Sequence, residues 1–467
     1  MPSIGILRSI ATTRARALLL ALSCLAVPRH PAAAQPAVPS RDAEPVTAAM
    51  ARATFDSAWR RIGATYYDTT MRGVDWDAVR AELLPRAEAA RTLGALRATL
   101  RELATRLGDS HFGLLAVEDT APAVPADEAP AAPGAGAPGD VGAVLRVLDG
   151  ALVVVRTEPG APAERAGLVP GWRVEAVGGV DVAGELRDAA ALDGEARRRA
   201  ELGALMHAEH LLTGDSGRAA RVRARDRDGR VLSLAIPRRR APGLAVTFGN
   251  LGTVMARLAA ERVRLPDGGC AGIIGFDLWM LPLRPQIDSA IDALRDCRGL
   301  VLDLRGNRGG VAGMSMAVAS WLVHERTELG VLRARGIAQR FVAEPRRVTD
   351  AGAPTAPYDG PVALLVDEHS ASTTEFFAAA LQESGRVRVF GARTAGQALP
   401  AAALRLPTGD VLVHAVGDFT TPRGARVEGR GVTPDVPVPL RLADVLAGRD
   451  AAREAALAWI AGAPTPR

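Results

Sequence analysis

No lysine occurs in the 467 residues; all 57 lysine-plus-arginine positions are arginine. An arginine guanidinium stays protonated at any working pH and cannot serve as an ordinary general base. A lysine base, a Schiff base and a phosphate-cradling lysine are therefore excluded. Aromatic residues make up only 4% of the chain, so platforms for stacking nucleic-acid bases are scarce. The net charge of +5 comes from arginines scattered among acids. Runs such as "ARRRA" and "PRRRAPG" read as solvated surface, and no nucleic-acid partner is expected. Cysteine is rare: Cys24, Cys270 and Cys297. Beyond the N-terminus no segment has the roughly 18 uninterrupted apolar residues of a membrane-spanning helix.

The chain is 48% hydrophobic and 23% charged, the balance of a soluble protein with a sizeable core. Its length predicts several domains. The first residues have the plan of an export signal. Arg8, Arg14 and Arg16 precede the apolar run "ALLLALSCLAV", and Ala32 and Ala34 form an Ala-x-Ala site before Gln35. We expect residues 1–34 to be a signal peptide cleaved after Ala34, and the mature protein to be periplasmic or extracellular. Cys24 leaves with the signal. Cys270 and Cys297 each directly precede an expected strand; a disulfide between them and two buried thiols are both compatible with the sequence.

Hydrophobic periodicity divides the rest. Residues 35–116 read as a helical subdomain, with Asp75 and Thr92 as helix N-caps. Residues 117–139 are a Pro/Ala/Gly-rich linker. Residues 140–240 are rich in strands, including a hairpin with Asp149-Gly150 at its turn. Residues 241–445 alternate strand and helix, with strands near 272–276, 299–304, 362–366 and 387–390 and helices near 283–295, 310–324 and 373–384. That alternation predicts an α/β core with a largely parallel sheet. Residues 446–467 read as a C-terminal helix and tail.

Four stretches have the composition of a reactive site. In "VDEHSASTTE" a strand turns into a helix through Ser370 and Ser372, where helix N-terminal amides favour developing negative charge. By itself the turn is equally a capped helix start, with Glu375 completing a capping box. "VLDLRGNRGG" runs a strand into a glycine-rich turn that exposes backbone N–H groups, as an oxyanion hole or anion site requires. It is neither a dinucleotide fingerprint nor a P-loop. "GDSHFG" places His111 after Ser110; histidine is the side chain best matched to general-base work near neutrality. "VEGRGVTPD" places Glu428 before two glycines. His207 and His210 stand three apart on a helix without an evident third ligand, so a metal site is not expected.

Taken in order, these stretches resemble the C-terminal-processing and tricorn-core serine peptidases. The resemblance implies a crotonase/ClpP-like α/β core, an N-terminal helical subdomain and a small β-rich PDZ-like domain, the last carried by "GAPAERAGLVPGWRVEAVGGVDV". "RTAGQ" resembles the segment that ends in the catalytic lysine of the processing branch, but here the position is Gln397. The tricorn-like variant of serine, histidine and glutamate fits instead. It implies Ser372 as nucleophile, His111 as base, and Ser110 and Glu428 as orienting groups. Backbone N–H groups of Gly309 or Gly310 and of Thr373 would form the oxyanion hole. By the same resemblance, a peptide would add to the strand beginning Val141, Gly142, Ala143, Val144. The expected activity is hydrolysis of peptide bonds in unfolded proteins or peptides, with no metal or organic cofactor and with activity rising through a histidine titration near pH 6.5 if unperturbed. The rival reading is an inactive peptide-binding scaffold, and a third uses His369 as base.

Overall fold

The computed structural model describes residues 41–116, 137–247 and 253–463. The signal peptide, Cys24 and most of the linker (117–136) lie outside the described residues. The fold is mixed α/β.

The core is a six-stranded sheet in the order Leu258–Arg264, Cys270–Phe276, Gly299–Asp303, Val362–Val366, Val387–Gly391, Val436–Pro437. The first strand is antiparallel to its neighbour; the rest are parallel. The inner strands are largely apolar because both faces are covered, Arg388 being the exposed exception. Alternate residues make the division. Ile274, Leu300, Leu302, Val362 and Leu364 face the helices that follow the strands. Ile273, Val301, Ala363 and Leu365 face Ala456 and Ile460 of the terminal helix Ala451–Ala461. That helix lies so close that a Cβ on Gly299 would meet Ile460 at 2.6 Å.

Cys270 and Cys297 form a disulfide that joins the heads of two adjacent parallel strands across a separation of 27 residues. Closing a loop of that length contributes about 3.5 kcal/mol through the unfolded chain. Reduction with the fold otherwise intact should lower Tm by about 4 °C for a cooperative unit of this size. Paired thermal scans with and without reductant, alongside a thiol count, check this; equal Tm values with two newly free thiols contradict it.

Helices Ala48–Thr65, Trp76–Ala89 and Leu93–Thr105 form the N-terminal unit. Asp75 and Thr92 cap as expected, accepting the N–H groups of Ala78 at 2.9 Å and Ala95 at 3.3 Å. The unit does not close on itself. Its apolar face packs on Leu399, Leu406, Leu412 and Ala415, from the hairpin of strands Ala401–Arg405 and Val411–Ala415. Between 140 and 240, a five-stranded antiparallel sheet begins at an edge with Ala143–Leu148 and carries helices Val182–Ala190 and Gly194–Leu212. The turn at Asp149-Gly150 has φ of 51° and 71°, the left-handed pair of a type I′ hairpin.

Several expectations are corrected. The antiparallel strands Leu244–Thr247, Thr253–Ala256 and Leu258–Arg264, which precede the first expected strand, were not anticipated. The helix expected over 310–324 is only Gly313–Ala319, because Gly309 (φ 91°) and Gly310 (φ 142°) hold the chain out of helical geometry. Residues 327–343 form a hairpin that pairs with Gly417–Thr420. The single terminal helix is two, Leu442–Leu446 and Ala451–Ala461, broken at Gly448 (φ 64°) and restarted by Asp450 capping Arg453.

Candidate active site

The buried strand Val362–Val366 ends in a turn organised by Asp367. One of its oxygens accepts the N–H groups of Gly306 at 2.8 Å and His369 at 3.1 Å; the other accepts Arg146, from the edge strand of the five-stranded sheet, at 2.9 Å. The Arg146 guanidinium holds the Asp367 carboxyl far below the usual range, against the burial that would raise it. Ser372 follows, with φ 56° and ψ −121°, and opens the helix Thr373–Glu383. For a non-glycine residue this conformation costs on the order of 1–3 kcal/mol and persists only where surrounding bonds over-determine it. Here they do. The Ser372 N–H reaches the Gln397 carbonyl at 2.8 Å and the Glu375 carboxylate at 3.1 Å. Glu375 also accepts Thr394 Oγ1 at 2.5 Å, Gly396 N at 2.8 Å and Gln397 N at 3.0 Å. Complete burial pushes this carboxyl up to about 7 in spite of those four donors.

The glycine-rich turn is welded to the serine turn by Asn307. Its carbonyl accepts Ala371 N–H at 3.0 Å, its Oδ1 accepts Gly309 N–H at 2.9 Å, and its Nδ2 donates to the Phe276 carbonyl at 2.9 Å. The Gly309 N–H is thereby used. The N–H groups of Gly310 and Thr373 have no hydrogen-bond partner among the described residues. A Cβ on Gly309 would stand 2.6 Å from Ser372 Cβ and 2.9 Å from Thr373 N. Glycine at 309 thus keeps open the space in front of both the serine and that amide.

The N-terminal unit contributes the third part. After the helix Leu93–Thr105 the chain turns through Asp109, Ser110 and His111. His111 has φ 59°; of the five non-glycine residues with positive φ among those described, two are His111 and Ser372. His111 Nδ1 lies 2.8 Å from Ser110 Oγ, and Ser110 Oγ donates to Glu428 Oε2 at 2.9 Å. Glu428 also accepts Ser110 N–H at 2.9 Å and Ala398 N–H at 2.8 Å. Because Gln397 accepts the Ser372 N–H and Ala398 binds Glu428, consecutive residues join the serine turn to the Glu428–Ser110–His111 chain. No hydrogen bond joins His111 to Ser372 directly among the described residues; such contacts commonly tighten only when substrate is bound. With Nδ1 committed to Ser110, the lone pair available for a proton is on Nε2.

Burial pushes the His111 imidazolium down to about 4 and raises the Glu428 carboxyl, whose hydrogen bonds from Ala398 and Ser110 oppose the rise. The neutral imidazole is therefore the resting form at neutral pH. Asp109 fixes the loop from behind. It is 7% exposed and accepts Tyr66 OH at 2.5 Å and Tyr67 OH at 2.7 Å, with Arg72 paired to its other oxygen.

Of the residues singled out in the sequence, Ser372, Ser110, His111 and Glu428 are joined through Gln397 and Ala398, and Thr373, next to Ser372, donates its Oγ1 to the Gly310 carbonyl at 2.9 Å. His369 instead turns its Nδ1 toward Asp367 Oδ2, at 3.7 Å. Val141 and Gly142 are buried, and Ala143 and Val144 pair with Thr157 and Arg156, leaving the other side of that edge strand unpaired within its sheet. Asn307, Asp367, Thr394 and Asp109 were not anticipated. Only Asp109 carried a signal, its place directly before Ser110-His111.

Residues 272–438 match peptidase family S41, and residues 48–105 match the tricorn protease C1 domain. The chain is similar to the carboxyl-terminal-processing protease of Picosynechococcus sp., with 24% identity over 385 residues, covering 82% of each chain. It is also similar to the chloroplastic C-terminal processing peptidase of Tetradesmus obliquus, with 27% identity over 396 residues, covering 82% of this chain and 76% of that one. Among solved structures, the photosystem II D1 C-terminal processing protease aligns with TM-score 0.55 and 23% identity over 83% of this chain and 93% of its own. Mature CPAF complexed with lactacystin aligns with TM-score 0.59 and 14% identity over 89% and 98%.

Proposed function

We propose that this chain, a serine peptidase of family S41, is an exported enzyme that hydrolyses peptide bonds in unfolded proteins or peptides, with Ser372 as nucleophile and His111 as general base. The inactive-scaffold reading does not survive the kinship with processing proteases. The observation that carries the assignment of roles is the hydrogen-bonded chain Glu428–Ser110–His111, which leaves Nε2 of a neutral imidazole as the proton acceptor. Ser372 Oγ attacks the peptide carbonyl and His111 Nε2 takes its proton. The imidazolium so formed is stabilised through Nδ1–H to Ser110 Oγ and on to Glu428, and then protonates the leaving amine. The N–H groups of Gly310 and Thr373, unused in the resting structure, hold the oxyanion. Water repeats the sequence on the acyl-enzyme. The identities of the relatives favour C-terminal processing as the physiological use. The five-stranded unit at 140–240 is a PDZ-like peptide-binding domain in this reading. Its edge strand is tied to the nucleophile turn through Arg146 and Asp367. A disulfide together with the N-terminal signal pattern supports a periplasmic or extracellular site.

The pH dependence tests the base. Activity needs neutral His111, so it is present above the imidazolium pKa and is lost as pH falls through it. With that pKa lowered to about 4, kcat/KM for casein or a peptide should stay high through pH 6 and fall only below about 5, while far-UV circular dichroism shows the fold intact. This replaces the expectation of a limb at 6.5. An acid limb at 6.5 or above that persists in Glu375→Gln, which removes the carboxyl pushed up to about 7 beside the Ser372 N–H, would count against His111 as the base.

A further inference from the structure

We infer that the free edge of the strand Gly113–Leu115 is the rail along which the substrate's main chain is laid as an added β-strand. This rests on the peptidase reading and names how that site recognises its substrate: an extended peptide held by its backbone.

Three observations and one general property of edge strands point there. The strand begins two residues after His111, so a chain paired with it passes the base. It is hydrogen-bonded on one side only, with Gly113, Leu114 and Leu115 opposite Val413, Leu412 and Val411. It is the end strand of its three-stranded sheet, and no described residue pairs with its other side. Every second residue of an edge strand turns its N–H and C=O away from the sheet, so the unpaired side offers main-chain donors and acceptors.

The sheet also points the right way. Gly113–Leu115 and Ala401–Arg405 both run antiparallel to Val411–Ala415, so their starts lie at the same end. At that end stand His111, before Gly113, and Gln397 and Ala398, before Ala401, which bind the Ser372 N–H and Glu428. Finally, a Cβ placed on Gly113 would meet nothing within 4 Å, and its φ is not in the left-handed region. The face above the strand is open at that point. Leu114 packs into the helical core and keeps the rail rigid.

Peptide substrates N-methylated one amide at a time test this with the wild-type enzyme. Methylation removes a donor and blocks strand pairing, so alternate positions on one side of the scissile bond should lose kcat/KM about tenfold or more, while the positions between are tolerated. In parallel, Gly113→Val, which suits a strand, should raise KM about tenfold with a smaller change in kcat. No alternation in the scan together with a KM within about twofold of wild type would overturn the proposal. So would a dimer in sedimentation that Gly113→Val dissolves without changing KM, since the edge would then belong to a second copy. If the wild type cleaves no peptide, or Ser372→Ala cleaves as well as wild type, the peptidase reading itself fails.

Discussion

His111→Ala should lower kcat by about 10⁴-fold or more, with KM changed far less. The base acts only while the serine is being deprotonated and the amine protonated, so its loss falls on the transition state and not on substrate binding. Ser372→Ala should be as damaging, and the double variant scarcely worse than either, because nucleophile and base act as one unit. The absence of lysine sharpens this prediction. In a chain whose other cations are all arginine, no second amine can take over the proton. Steady-state kinetics on one peptide with the three variants provide the measurement. Should Ser372→Ala be inactive while His111→Ala stays within tenfold of wild type, the proton goes elsewhere, and His369 is the next residue to replace.

Asp410→Ala should destabilise the protein by about 3–5 kcal/mol. Asp410 receives a two-pronged contact from Arg97, at 2.7 Å and 3.2 Å, and the side chains are 0% and 1% exposed. Removing the carboxylate takes from a buried guanidinium the partner of its Nε and Nη2 and leaves the half-exposed Asp42, 2.8 Å from Nη1, which costs more than the pair itself is worth. The position matters as much as the size. Arg97 lies on the helix Leu93–Thr105 that leads into the His111 loop, and Asp410 on the turn between the strands the helical unit packs against. Loosening this joint therefore carries the base away from the nucleophile, and activity should fall along with the urea midpoint. Replacing both residues by apolar ones of similar volume should recover much of the stability. A loss below about 1 kcal/mol for Asp410→Ala would show that the joint is held chiefly by its apolar contacts.

The parallel strands were legible because they are short, mostly apolar runs that alternate along the chain with helical patterns, as a doubly covered sheet requires. Val362–Val366 was placed at both ends from sequence alone. Where a boundary was missed, the cause was a backbone torsion. Gly310 and Gly448 each delay or break a helix that side-chain periodicity would continue. The hairpin at 327–343 went unread because its apolar residues do not alternate cleanly: the register shifts between Glu328 and Gly330, and Ile337 and Ala338 face solvent. In the site, Ser372, His111 and Glu428 stood out as short stretches, and only the resemblance to tricorn-like peptidases gave them roles. Asn307, Asp367 and Thr394 did not, since their role is to accept or donate main-chain hydrogen bonds across loops far apart in the chain, and any polar side chain looks alike before folding. The lowered His111 value was likewise invisible, being a consequence of what surrounds the ring.

The hydrogen bond between Ser110 and Glu428 spans 318 residues. On a ribosome the histidine emerges early and the glutamate hydrogen-bonded to its neighbour Ser110 far later. A nascent chain thus has a serine and an imidazole but no assembled relay between them. The relay is completed only once Glu428 has been made.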